Sequence, residues 1–206
     1  MTIYNPYRPV ILPAQFTYKS IHGWFDYRAF YDHILDKLCA DAQPRIAVEV
    51  GSWFGQSTAY FAGELKRQDA SNVDFYAVDT WEGTPNEAHH MQVVARYGGS
   101  IFEAWKNNMQ KCKVTGWVNP LRKPSVEAAK EFADESVDFV FLDADHTTPG
   151  VVADIQAWRS KIRPGGTLAG HDADWSEVWA GVEQELPGLA KRVGRCWMVE
   201  NWPGVN

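Results

Sequence analysis

This sequence predicts a doubly wound α/β fold, with a mostly parallel sheet and helices on both faces. Three observations lead there. Four short apolar runs are nearly continuous rather than alternating, as in strands covered on both sides. Amphipathic helical patterns fall between those runs, so strand and helix take turns along the chain. The first run then ends in a glycine-bearing turn that opens onto a helix, the place where open sheets of this type bind ligands.

The elements follow in order. Asp26 is placed to cap a helix whose buried side is Phe30, Ile34, Leu35 and Leu38. Residues 46–50 form the first strand, and Ser57 opens a helix with Phe61, Ala62 and Leu65 inside. Residues 75–79 are the second run. Ser100 and Glu103 have capping-box spacing ahead of Phe102, Trp105, Met109 and Cys112. Residues 137–143 are the third run. Thr148 followed by Pro149 starts a helix carrying Val151, Val152, Ile155, Trp158 and Ile162 at helical period. Residues 167–170 are the fourth run. Asp174 and Glu177 repeat the capping-box spacing before Val178, Trp179, Val182 and Leu186, and Pro187-Gly188 ends that helix. Residues 192–200 have room for one or two short strands. Residues 84–100, with His89, His90, Met91 and Tyr97, lack a strong period and read as a loop over the sheet. Residues 21–31, with Trp24, Phe25 and Tyr27, read either as part of a lid or as an N-terminal helix packed on the sheet.

Composition bounds the function. A chain of 206 residues buries about 70% of its open-chain surface by size scaling, enough for one ordinary domain without a disulfide or metal staple. The net charge of −6 argues against general nucleic-acid binding, which needs a basic surface. No apolar run approaches the ~18 residues of a membrane span. Residues 1–15 hold one basic residue, Arg8, and a proline-broken apolar patch, without the order of a secretory signal. Cys39, Cys112 and Cys196 lie far apart and read as reduced structural thiols of a cytoplasmic protein. Self-association of the chain is left open. Most of the ten tryptophans are expected in the core, the rest as an aromatic wall.

The turn after the first strand reads Glu49-Val50-Gly51-Ser52-Trp53-Phe54-Gly55-Gln56-Ser57. Gly51 permits the tight turn, Gly55 permits close approach to the next helix, and that helix's free N–H groups with Ser57 can hold an anion. The dinucleotide fingerprint needs a glycine where Trp53 stands, and the phosphate loop needs a lysine that is missing. Glu49 suits a cation. A ligand with both carboxylate and ammonium, the tail of an amino acid, fits best; a plain strand-turn-helix glycine is the bland alternative. Asp79 ends the second strand, where an acid can take two ribose hydroxyls.

Together with Val78-Asp79-Thr80-Trp81-Glu82-Gly83, Phe141-Leu142-Asp143-Ala144-Asp145-His146, Arg163-Pro164-Gly165-Gly166 and Gly170-His171-Asp172, this loop resembles a class I S-adenosylmethionine-dependent methyltransferase. The nearest group is the bacterial small-molecule O-methyltransferases related to macrocin and aminocoumarin-sugar enzymes. The resemblance covers roughly residues 20–200. It implies the Rossmann-like class I fold over a single domain, 1–206, with a helical or lid segment at 1–40 and the cofactor-binding core at 41–206. By the resemblance, Glu49, Gly51 and Ser57 hold the methionine part and Asp79 the ribose. Ser125 and Val126 meet the adenine, although Ser125 also fits a helix cap. Asp143 lies at the same cofactor-binding edge.

Methyl transfer from a sulfonium needs alignment and a deprotonated acceptor oxygen. In metal-dependent relatives, one acid at the fourth strand and two residues at the fifth hold a divalent ion such as Mg²⁺ or Mn²⁺; the matching residues are Asp143, His171 and Asp172. The first residue of the fifth-strand pair is usually acidic there, and here it is His171. Three roles for His171 stay open: metal ligand, general base, or brace of the loop. Asp145 and His146 both suit the acceptor's proton; the resemblance favours Asp145, and histidine has the better unperturbed pKa. His89 and His90 read as a solvated pair or as contacts to substrate or metal. The resemblance implies methyl transfer from S-adenosylmethionine to a hydroxyl of a small molecule, assisted by the ion. Two alternatives are a cofactor-binding regulatory partner and a hydroxylation-associated or aminopropyl-transferring protein on the same fold.

Overall fold

The computed structural model describes residues 16–204. After a 3-10 turn at Tyr18–Ser20 come α1 (Arg28–Leu38), β1 (Arg45–Val50), α2 (Gln56–Arg67), β2 (Val73–Asp79), α3 (Ala88–Arg96) and α4 (Phe102–Lys111). A second 3-10 turn at Thr115–Trp117 leads to β3 (Asn119–Arg122), α5 (Ser125–Ala129), β4 (Val137–Leu142), α6 (Thr148–Trp158), β5 (Ile162–Gly170), α7 (Ser176–Glu185), β6 (Lys191–Val193) and β7 (Cys196–Glu200). The seven strands form one sheet in the order β3-β2-β1-β4-β5-β7-β6. Pairs from β3 through β5 are parallel, and β7 runs antiparallel to both β5 and β6. The strand order reverses between β1 and β4, and there the crevice for a ligand opens.

The continuous apolar runs hide an alternation that the fold exposes. Ala47, Phe75, Ala77, Phe139 and Phe141 face one core with Tyr31, Phe61 and Trp105, from α1, α2 and α4. Val48, Val50, Val78, Val140, Leu142 and Leu168 face the other with Ile155, Trp158 and Val182, from α6 and α7. Both faces are covered, so neither set can be polar. The first core is aromatic: the Phe61 and Phe139 rings stack 6.1 Å apart, and Phe61 and Phe75 lie 4.5 Å apart. Phe30, Ile34, Leu35 and Leu38 are all buried in that core, so α1 packs on the sheet. Five tryptophans, at 81, 105, 158, 197 and 202, are buried; Trp24 and Trp175 stay exposed.

Several helix starts differ from the sequence expectation, for one shared reason. Asp26 does not cap α1; its carboxylate meets Arg195 and His171, and Tyr27 stands at the cap. Asp174 does not close a capping box on α7, because it pairs with Arg195. Glu103 pairs with Lys106 instead of reaching back to Ser100. Charge-assisted bonds to a guanidinium or ammonium outcompete a neutral backbone donor. The helix α6 starts at Thr148 with Pro149 in its first turn, as expected, and Thr147 caps it, its hydroxyl accepting from the Gly150 N–H at 3.2 Å. The cap of α2 is Gly55 in the left-handed region, so that helix opens at Gln56 rather than Ser57. Residues 84–100 hold a real helix, α3. Only its Val94 is buried, which left little periodic signal. Residues 192–200 lie in a hairpin of two strands, β6 and β7.

Glycine is required at the end of β1. Gly51 sits at φ 94°, and a Cβ there would fall on the Asp143 backbone carbonyl. Gly63, inside α2, has nothing within 4 Å of the same position. Gly51→Ala should lower the unfolding free energy by roughly 3 kcal/mol or more, combining positive-φ strain with a backbone clash. Gly63→Ala should raise it by about 0.5–1 kcal/mol. Urea titrations of the two variants check both signs.

Candidate active site

The carboxyl ends of β1, β2, β4 and β5 open into a cavity of about 680 Å³, within the range of small-molecule sites. Three of these ends turn through a non-glycine residue in the left-handed region: Trp53 after β1 (φ 50°), Trp81 after β2 (φ 56°) and Asp172 after β5 (φ 51°). Such backbone is unfavourable unless its surroundings enforce it. Asp79 enforces two of the three. Its Oδ2 accepts the Ser52 and Trp53 N–H groups at 2.9 and 2.8 Å, and its Oδ1 accepts the Trp81 N–H at 2.7 Å. Burial raises its pKa, and these bonds work against that rise. One lone-pair position of its carboxylate is left for a ligand in the cavity it lines.

Glu49 has a different setting from the one its sequence position implied. Counting along β1, it shares the aromatic face with Ala47, and its carboxylate turns there. Oε1 accepts the Tyr31 hydroxyl at 2.8 Å, and Oε2 accepts the Thr58 hydroxyl. Thr58 continues through the Ser52 hydroxyl, 2.6 Å away, to the Trp105 indole N–H at 2.7 Å. Glu49 is 1% exposed and lies outside the cavity lining. It anchors the floor of the loop, and burial pushes its carboxyl up to about 7.

Two other residues stand where a ligand's amino-acid tail belongs. The Trp53 indole Nε1 and the Gln56 Oε1 are buried, line the cavity and have no hydrogen-bond partner among the described residues. One is a donor suited to a carboxylate, the other an acceptor suited to an ammonium. Sequence reasoning treated Trp53 only as an obstacle and passed over Gln56. Ser57 and Gly51 line the cavity beside them, as do Ser125 and Val126 at the start of α5. Ser125 accepts the Trp158 indole N–H at 3.0 Å.

The ends of β4 and β5 bring Asp143, His146, His171 and Asp172 together. His146 Nε2 lies 3.2 Å from Asp172 Oδ2 and 3.6 Å from Asp143 Oδ1, with no well-formed hydrogen bond to either. Asp143, His146 and Asp172 are the group among the described residues that could share a metal ion. His171, expected as a ligand, is not in that group. Its Nε2 meets Asp26 at 3.1 Å and its Nδ1 meets Asp172 at 3.3 Å, so both nitrogens already face carboxylates. His146 stands in that group instead, with Glu87 accepting at its Nδ1, 2.7 Å away.

Three further residues complete the cluster. Arg195 lies 2.6 Å from Asp172, the Tyr27 hydroxyl donates to Asp143 at 3.2 Å, and His90 lies 3.1 Å from Glu87. The sequence gives no local sign of Glu87 or Arg195, which are 59 and 23 residues from their partners. Burial opposes a charge on His146, but Asp143 and Asp172 overcome it and push its pKa up to about 11. Burial also opposes ionisation of Asp172, yet His146 and His171 hold it well below the usual carboxylate range. Two carboxylates converge here only with positive charge between them. Asp145 lines the cavity too, with Oδ1 accepting the Thr147 N–H at 2.7 Å. His89 is not in this cluster; its ring lies 6.1 Å from Trp24.

Known proteins share this architecture. A family described as "Methyltransferase domain" matches residues 48–173. The uncharacterized protein y4gI of Sinorhizobium fredii (strain NBRC 101917 / NGR234) is 30% identical over 149 residues, or 72% of this chain. The chain spans only 15% of the length of that curated relative. Among solved structures, the O-methyltransferase NovP aligns with a TM-score of 0.68 at 12% identity, over 84% of this chain and 78% of NovP. The calicheamicin methyltransferase CalS11 aligns with a TM-score of 0.61 at 14% identity, over 84% of this chain and 77% of CalS11. At these identities the likeness to both structures is one of fold. Among the described residues, no helix is long and apolar enough to cross a membrane.

The buried Glu49 yields a pH-dependent prediction. Its folded pKa of about 7 exceeds the ordinary glutamate value of 4.5, so the folded chain binds that proton more tightly than the unfolded chain. The stability so contributed is complete below pH ~4.5 and is lost as pH rises through ~7. Glu49→Gln removes this dependence. Between pH 5 and 8, the variant should gain about 2–4 kcal/mol relative to the parent chain, as read from denaturant unfolding at each pH.

Proposed function

The chain belongs to the methyltransferase-domain family; on that premise we propose that it takes S-adenosylmethionine as donor and a hydroxyl of a small molecule as acceptor, with a divalent cation beside it. The observation that carries the proposal is the convergence of Asp143, His146 and Asp172 at the rim of the donor cavity. The donor fits the residues present. Trp53 Nε1 and Gln56 Oε1, both without partners, suit its carboxylate and ammonium. The remaining lone pair of Asp79 suits a ribose hydroxyl, and Ser125 and Val126 flank the space left for the base.

The cation fits as well. Asp143, His146 and Asp172 would hold it, His146 Nε2 lying 3.2 Å from Asp172 Oδ2 and 3.6 Å from Asp143 Oδ1. The orphaned His146 Nε2 points between two carboxylates, and Glu87 supplies the carboxylate that orients a ligating imidazole. One nitrogen among oxygens favours Mn²⁺ over Mg²⁺. Such an ion lowers the pKa of an acceptor hydroxyl and orients it.

The chain's own residues do the rest. Methyl transfer is an in-line displacement in which the acceptor O–C bond forms as the donor S–C bond breaks and the acceptor loses a proton. The donor carbon is already activated, so alignment dominates. The loop pinned by Asp79 fixes the donor's tail and ribose. Asp145 faces the same space with one oxygen held by the Thr147 N–H and the other free to take the acceptor's proton. His171 and Arg195 keep Asp172 in place. Trp24 and Trp175, about half exposed, stand at the mouth of the cavity. NovP and CalS11, both named as methyltransferases and NovP as an O-methyltransferase, support the acceptor class.

Incubation with methyl-labelled donor and a panel of small hydroxyl compounds tests the proposal. Label should move to oxygen, EDTA should abolish transfer, and Mn²⁺ should restore it better than Mg²⁺. Full turnover in EDTA would contradict the cation. In Mn²⁺ titrations followed by electron paramagnetic resonance, Asp143→Asn and His146→Ala should lose the site. Glu87→Gln should weaken it by about 10–100-fold, and His171→Ala should retain it. Loss with His171→Ala but not with His146→Ala would restore the ligand set read from the sequence.

A further inference from the structure

We propose that Asp154 selects the donor by its base, accepting a hydrogen bond from the exocyclic amino group of adenine. The inference rests on the assignment of the cavity as the S-adenosylmethionine site and concerns a residue that the chemistry above does not use. Asp154 lies on the inward face of α6 with Val151, Ile155 and Trp158, an acid in an otherwise apolar stripe. It is only 6% exposed, yet it lines the cavity beside Ser125 and Ala153. Among the described residues no arginine, lysine or histidine pairs with it, unlike Asp138, which Arg45 and Arg163 hold on the far side of the sheet's switch point.

The Ser125 hydroxyl at the start of α5 is a polar group beside it. That hydroxyl already accepts from the Trp158 indole and has its own proton free to donate. A carboxylate offers about four acceptor positions, so most of them remain for the cavity. Burial, with Asp145 nearby, pushes its carboxyl up to about 6. A buried carboxyl left this way is unfavourable unless a ligand completes it.

The surroundings name the donor. Pro124, Ser125 and Val126 on one side and Gly150 and Ala153 on the other form the end of the cavity. Small and apolar walls of this kind suit the faces of a flat ring, leaving its edge to meet Asp154. The ring must therefore present N–H at that edge. Adenine does so through its amino group. A base with a carbonyl at the same position would set oxygen against carboxylate, and a site built to receive a hydrogen bond rejects such an analogue strongly.

Calorimetry on the full chain with S-adenosylhomocysteine and S-inosylhomocysteine tests the assignment, because the two differ at that edge of the base. The unmodified protein should favour the adenine compound by at least about 100-fold. In Asp154→Asn the amide can present either oxygen or N–H₂, so the preference should fall to within about tenfold. Asp154→Thr, smaller and also uncharged, should lose the preference likewise and serves if the Asn variant fails to fold. An unchanged preference in the folded Asp154 variants, or none in the unmodified protein, overturns the role of Asp154 while leaving the donor site standing. No binding of S-adenosylhomocysteine by the unmodified protein overturns the donor site and this inference with it.

Discussion

The carboxylate of Asp79 is the contact on which the site depends. From the end of β2 it accepts two backbone N–H groups of the loop after β1 and one from its own following turn. Those three bonds hold Trp53 and Trp81 in left-handed backbone that neither would adopt alone. Trp53 so placed lines the cavity, its buried indole N–H without a partner among the described residues. Trp81 turns inward instead, is fully buried against Phe102 and Trp105, and carries α4 onto the sheet. One side chain therefore couples the aromatic core to the geometry of the ligand site.

Below this clasp the loop rests on a buried polar chain, and beyond it on charge. Trp105, Ser52, Thr58, Glu49 and Tyr31 link α4, the loop, α2, β1 and α1 by hydrogen bonds. A chain of this sort rigidifies what it joins when every member is satisfied. The opposite wall is assembled by attraction. Asp26, Asp172 and Asp174 gather around Arg195, which brings the segment before α1 against the β7 hairpin. His146 occupies the space that Asp143 and Asp172 leave between them, where positive charge lets the two acids approach.

Much of the fold was legible because it rests on local pattern. The runs ending at Val50, Asp79, Asp143 and Gly170 are strands, and the buried sides of α1, α2 and α6 follow the helical period. What was not legible lacks that pattern. The strand β3, Asn119–Arg122, is short, lies at the sheet edge, contains Pro120 and buries none of its four residues. The helix caps failed at Asp26, Asp174 and Glu103, whose charges found partners elsewhere, two of them at Arg195. In the site, residues at strand ends were readable: Gly51, Asp79, Asp143 and Asp172 all border the cavity. Glu49 was readable in principle, since its parity with Ala47 already assigned it to the covered face. The grouping of His146 rather than His171 with Asp143 and Asp172 was not, because it turns on Glu87 and Asp26, which only the folded chain brings near.

We propose that four strand ends hold a methyl donor and a divalent cation side by side. A crystal structure with S-adenosylhomocysteine and Mn²⁺, the ion located by its anomalous scattering, tests this. The Mn²⁺ peak should lie within bonding distance of Asp143, His146 and Asp172, with the amino-acid tail on Trp53 Nε1 and Gln56 Oε1. A tail bound to Glu49, a donor outside the Gly51 loop, or a peak absent from those three residues would contradict it.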